Sequence, residues 1–154
     1  MVKTKTRLTL CLVLLSLNIA FIWGNSLLTA DLSRAFSRWV GRIIAIFVSS
    51  VGTEEGAGGH HLLRKLAHFT EFTCLGICLS WLIRMMRSGK WEQYCLPLIG
   101  GVLVACVDET IQMFVPGRGP GIKDVGIDSL GVILGIVLIS LYTSIKTKNW
   151  RKIQ

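Results

Sequence analysis

The sequence predicts an all-α, multi-pass membrane protein of about four transmembrane helices plus one amphipathic interfacial helix. Three observations predict it. Leu8 to Ala30 and Ser129 to Ile145 carry no charged residue, whereas a soluble helix shows a polar residue every third or fourth position. Runs of this length match the roughly 20 apolar residues that cross a hydrocarbon core. Lys and Arg gather at the ends of the apolar runs, and Arg34, Arg38 and Arg42 recur every four residues between two of them.

Taken in order, span one covers about 8–28, span two 66–86, span three 96–115 and span four 125–142. Lys3, Lys5 and Arg7 before Leu8–Phe21 resemble a secretory signal. The run ends in Ile22-Trp23-Gly24-Asn25, a poor cleavage site, so an uncleaved first span is expected. In 31–51 the Arg stripe opposes Leu32, Phe36, Trp39, Ile43 and Phe47. That pattern predicts a helix lying in the outer interface, since three Arg make a fifth span costly. Gly52–Gly59 reads as a flexible loop, with His60 and His61 solvated beside it. Arg84 and Arg87 close span two, Pro97 falls in the first turn of span three, and Pro116-Gly117 ends that span. Gly131 and Gly135 form a GxxxG that favours close helix packing, and Gly76 offers the same.

The chain has 154 residues, 51% hydrophobic and 17% charged, with a mean hydropathy of +0.57. Its net charge of +8 comes without a basic helix or stacking platform, so the charges are topology signals and not a nucleic-acid footprint. Ten of the 17 Lys and Arg residues fall on the side of the N-terminus, the loop after span two and the C-terminal tail. The larger count places both termini in the cytoplasm. Cys11, Cys74, Cys78, Cys95 and Cys106 lie in or beside apolar runs, and an odd number without CxxC gives no disulfide framework.

Ionisable residues concentrate at one set of span ends. Arg64, Lys65, His68 and Glu71 open span two; Asp108, Glu109 and Gln112 close span three; Arg118 follows it; Asp124 and Asp128 open span four. Consecutive spans alternate in direction, so these ends share one side. Arg64, His68 and Glu71 share a helix face, as do Asp108 with Gln112 and Asp124 with Asp128. Charges at this depth need one another or water. The cluster is thus either a knot of ion pairs tying three helix ends or a site for a polar ligand, a proton or a metal. Its surplus of carboxylates favours a site. His68, Glu71 and one carboxylate form a zinc-type donor set, but the spacing is not HExxH, so no metal or cofactor is expected. There is no GxSxG elbow of a serine hydrolase.

Two stretches, RKLAHFTEFTCLG (Arg64–Gly76) and DETIQMFVPGRGPGIKDVGIDSLG (Asp108–Gly131), resemble the VanZ-like family of bacterial membrane proteins. The likeness covers roughly the C-terminal two-thirds of the chain. It implies a single VanZ-like membrane domain over 1–154 and a link to glycopeptide (teicoplanin) resistance. The family pattern falls on Arg64, Lys65, His68, Glu71, Asp108, Glu109, Gln112, Pro116, Gly117, Arg118, Asp124, Asp128 and Gly131. Phe72 departs from it, standing where a Tyr often follows the Glu, and Gly119-Pro120-Gly121 is poorer in Ser.

The reading that follows is an envelope protein of the bacterial cytoplasmic membrane, not an enzyme. It would bind a lipid headgroup or cell-wall precursor at the outer face through Arg64, Lys65 and Arg118. Alternatives are an intramembrane enzyme with His68 as base or metal ligand and Glu109 or Asp128 as acid, or a small proton-coupled transporter. Membrane lipids are the expected partners.

Overall fold

The computed structural model describes residues 2–28, 32, 35, 57–86, 89–118 and 121–151. The interfacial helix expected over 31–51 lies outside the described residues, apart from Leu32 and Ala35. Among the described residues four long helices are traced: α1 (Val2–Ser26), α2 (Ala57–Met85), α3 (Glu92–Met113) and α4 (Ile122–Arg151). There is no strand among the described residues. Each helix holds a stretch long and apolar enough to cross a membrane: Lys5–Ser26, Arg64–Met85, Glu92–Met113 and Ile122–Lys148.

Two boundaries differ from the sequence reading. The helix of span two begins at Ala57, so Gly58, Gly59, His60 and His61 belong to it and not to a loop. Two consecutive glycines cost about 1 kcal/mol each relative to alanine in a helix, which is why local propensity argued for a loop. The helix of span three begins at Glu92, so Pro97 lies inside it, in the second turn.

The bundle is inside-out relative to a soluble protein. Leu10, Leu17, Phe21, Ile99, Leu103, Leu130 and Leu141 are exposed on its outer surface. His68, Asp108, Glu109, Gln112 and Asp128 are buried. This is the distribution that hydrocarbon around the helices selects, because apolar side chains lose nothing there and ionisable ones must face inward.

Between these extremes lies a small apolar core of Ile22, Phe72, Leu75, Ala105, Val132 and Ile136. The α2 and α4 helices share the most extensive contact, and glycine makes it possible. A Cβ at Gly131 would stand 2.6 Å from the Phe69 carbonyl oxygen, and one at Gly135 would stand 2.7 Å from the Ile77 amide nitrogen and collide with the Thr73 carbonyl. Gly76 on α2 meets the Val132 backbone in the same way. Backbones can approach this closely only where no side chain intervenes. After α3, Gly117 adopts φ 77°, a left-handed conformation open to glycine at little cost. It turns the chain so that the Arg118 amide donates to the Val115 carbonyl at 3.1 Å.

Candidate functional site

Helix direction alternates, so the end of α1, the start of α2, the end of α3 and the start of α4 meet. Arg64, Lys65, His68, Glu109, Gln112, Asp124, Ile127 and Asp128 line one cavity there, of about 20 Å³. That is room for about one water-sized guest. Asp108 stands beside His68 and Asp128: each of the three offers a ligand atom, and those atoms lie within 4.8 Å of one another. All three residues are buried.

Specific contacts fix the edges. Lys65 Nζ pairs with Asp124 Oδ1 at 3.0 Å, joining α2 to α4. The Gly121 amide donates to Glu109 Oε2 at 2.8 Å, so a carboxylate from α3 anchors the chain as it enters α4. On α3, Gln112 Nε2 donates to Asp108 Oδ2 at 2.7 Å, one turn earlier, and sits 3.4 Å from Ser26 Oγ of α1. Asn25 Nδ2 donates to Glu71 Oε1 at 2.9 Å. Arg118 Nη2 donates to the Asn25 carbonyl at 3.2 Å.

The ten residues singled out in the sequence therefore occupy one end of the bundle, seven of them on the cavity wall and Glu71, Asp108 and Arg118 around it. The zinc-type set of His68 and Glu71 with one carboxylate is not the one assembled. Glu71 is turned to Asn25, and its Oε2 lies 3.9 Å from His68 Nδ1, beyond hydrogen-bond reach. Carboxylates from α3 and α4 take its place beside His68.

Residues of α1 went unread in the sequence. Asn25 and Ser26 are neutral, and a search for ionisable groups passes over them. The signal was nonetheless present, because the alternation that gathers the ends of the other three spans also brings the end of span one to the same side.

The electrostatics are unbalanced. Among the ten residues are five carboxylates and three cations, Arg64, Lys65 and Arg118, which leaves two negative charges over if all are ionised. Several buried polar atoms also lack hydrogen-bond partners: His68 Nδ1, Glu71 Oε2, Asp108 Oδ1, and Arg118 Nε and Nη1. Unpaired buried groups of this kind are costly. Burial, and after it the neighbouring positive charge of Arg64, lowers the pKa of the Arg118 guanidinium from its ordinary value. Asp108, Glu109 and Glu71 act on Arg118 in the opposite sense, yet two of its donors stay unbonded.

A family model described as VanZ/LLP1 matches residues 8–143, most of the chain. The chain belongs to the VanZ/LLP1 family. The match takes in all four apolar helices, including the first, which the two sequence stretches left out. It fits the helical architecture, and the protein is a VanZ-like membrane protein. No curated protein and no solved structure matches the chain.

Proposed function

We propose that this VanZ-like membrane protein binds an anionic headgroup, of a lipid or of a lipid-linked cell-wall precursor, at the cavity mouth beside Arg64 and Arg118. We further propose that this binding underlies a contribution to teicoplanin resistance. The observation that carries the reading is Arg118. Its Nε and Nη1 are buried and have no acceptor, and Arg64 acts on it as a like charge. An anionic oxygen against Arg118 would satisfy its two idle donors and offset the like charge of Arg64. The planar guanidinium fork suits phosphate and carboxylate. Lys65 is already paired with Asp124, so it shapes the mouth more than it binds. A cavity of about 20 Å³ cannot admit a whole headgroup, so the ligand lies at the mouth and presents an oxygen inward.

The same reading places the protein in the bacterial cytoplasmic membrane with both termini inside and the mouth at the outer face, supported by the Lys and Arg bias of the connecting segments. The test reconstitutes the full chain in nanodiscs and measures retention of phosphatidylglycerol against phosphatidylcholine by mass spectrometry. It then compares teicoplanin susceptibility of cells carrying the wild type or Arg118→Ala. Preferential retention of the anionic lipid, lost in the variant together with resistance, is the expected result. Equal retention of both lipids by the wild type overturns the headgroup reading. A C-terminal reporter active only outside the cell should stay silent; strong activity reverses the orientation.

An intramembrane enzyme is the second reading, favoured by His68 and Asp128 on the wall of a water-sized cavity. Conversion of a lipid-linked substrate by the purified chain, absent in His68→Ala, would replace the binding reading with this one.

A further inference from the structure

We propose that His68, Asp108 and Asp128, one residue from each of α2, α3 and α4, bind a single divalent transition-metal ion beneath the cavity. The sequence left a metal as one alternative, with Glu71 in the donor set, and expected none; the inference comes from how the three helices converge, which puts Asp108 and Asp128 beside His68.

The donor set is chemically apt. One imidazole and two carboxylates form a mixed nitrogen and oxygen shell that suits Zn²⁺ and its first-row neighbours. The ligand atoms lie within 4.8 Å of one another. Donors around a tetrahedral ion with bonds of about 2.1 Å stand roughly 3.4 Å apart, so side-chain movements of about 1 Å close the shell.

Two further observations point to a ligand. Asp108 is fully buried, and its Oδ1 has no hydrogen-bond partner although Gln112 holds its Oδ2. His68 is 8% exposed, and its Nδ1 makes no hydrogen bond, with Glu71 Oε2 at 3.9 Å. A closed knot of hydrogen-bonded ion pairs would leave neither atom idle. Gln112, by holding Oδ2, orients the carboxylate in the way that outer groups orient metal ligands. The two surplus negative charges of the cluster equal the charge of one divalent ion. Three protein ligands leave a coordination position open, as in catalytic zinc sites, and the cavity has room for the water that would fill it.

The rival explanation is that the surplus charge is carried by protons shared among the carboxylates. Purified full-length protein titrated with Co²⁺ separates the two. The metal reading expects one Co²⁺ per chain, seen by its visible absorption and displaced by Zn²⁺. His68→Ala and Asp108→Asn should weaken Co²⁺ binding by more than the roughly 10- to 100-fold that loss of an outer group costs. A chain carrying His60→Ala and His61→Ala together should bind as the wild type does. Zinc-edge X-ray absorption of the wild type needs no variant, and should show one imidazole with oxygen donors at about 2.0–2.2 Å and no sulfur. No stoichiometric binding overturns the proposal, as does a sulfur ligand, or binding that survives His68→Ala but fails in the His60/His61 chain. No lipid enters this test, so its failure leaves the headgroup reading standing, and failure of that reading leaves this one standing.

Discussion

Where α2 ends and α3 begins, Arg84 donates from Nη1 to Gln93 Oε1 at 2.9 Å and from Nη2 to Ser140 Oγ at 2.8 Å. Its guanidinium also lies 5.8 Å from the centre of the Tyr94 ring. At the opposite end of the bundle, Arg118 makes one bond, to the Asn25 carbonyl, and keeps two buried donors idle. The cavities differ in the reverse sense. The groove beside Arg84, lined by Trp81, Met85, Ile139, Tyr142, Thr143 and Lys146, encloses about 180 Å³, against about 20 Å³ at the cluster. Size and chemistry thus point to different ends. The Arg84 end has space, no carboxylate among the described residues lines it, and its arginine holds three helices together through Nη1 and Nη2 while Nε stays unbonded. The Arg118 end has little space and many groups that want a partner. The difference is one of degree: Arg84 keeps one buried donor, Nε, unbonded and Arg118 keeps two, and the Arg118 end adds unbonded buried atoms on His68, Glu71 and Asp108.

That contrast can be broken most severely between the two ends. Gly135→Leu would drive a side chain into the Thr73 carbonyl and the Ile77 amide, and α2 and α4 carry both ends. A loss of about 3 kcal/mol or more is expected, read as a fall in the thermal midpoint in detergent and in Co²⁺ binding together. Retention of either would show that the ends do not depend on a common platform.

A smaller effect sharpens the comparison. Arg84→Ala removes two interhelical bonds and one idle donor, and should lower stability by about 1 kcal/mol while leaving lipid retention unchanged. In Arg118→Ala the lost bond to Asn25 is offset by removal of two unsatisfied donors, so stability should stay within a few tenths of a kcal/mol of the wild type. Equal destabilisation in both variants would make both arginines structural.

The smallest effect on the cluster itself is expected at the aromatic pair of the Arg84 end. Trp81 and Tyr142 stack with ring centres 6.2 Å apart and planes at 25°. Trp81→Ala should cost about 0.5–1.5 kcal/mol beyond its lost contact area and leave the metal stoichiometry untouched. A change in Co²⁺ binding would reveal coupling along α2 between the ends.

Much of this architecture was legible because hydrocarbon imposes simple rules. Long apolar runs, two of them uncharged, gave four helices, alternation gave the shared end, and spacing of four residues put Asp108 beneath Gln112. The remainder depended on packing. Glu71 follows His68 by three residues and reads as its partner, but Asn25 holds Glu71, and only assembled helices reveal that. Gly58 and Gly59 argue for a loop locally and are helical in the bundle. Pro97 at Glu92 plus five lies deeper in its helix than the apolar run suggested, because the helix starts before the apolar residues do.

Asn25 has a consequence for how the protein is made. Its carbonyl waits for Arg118, 93 residues later in the chain. At ribosomal speeds of about 5–20 residues per second, that interval is roughly 5–20 s. Within it, α2 brings Glu71 to the Asn25 side chain, and α3 brings Gln112 to Ser26 and Asp108 to the cluster before Asp128 exists to face it. The cluster is therefore a late product of synthesis, completed only when the last helix joins the bundle.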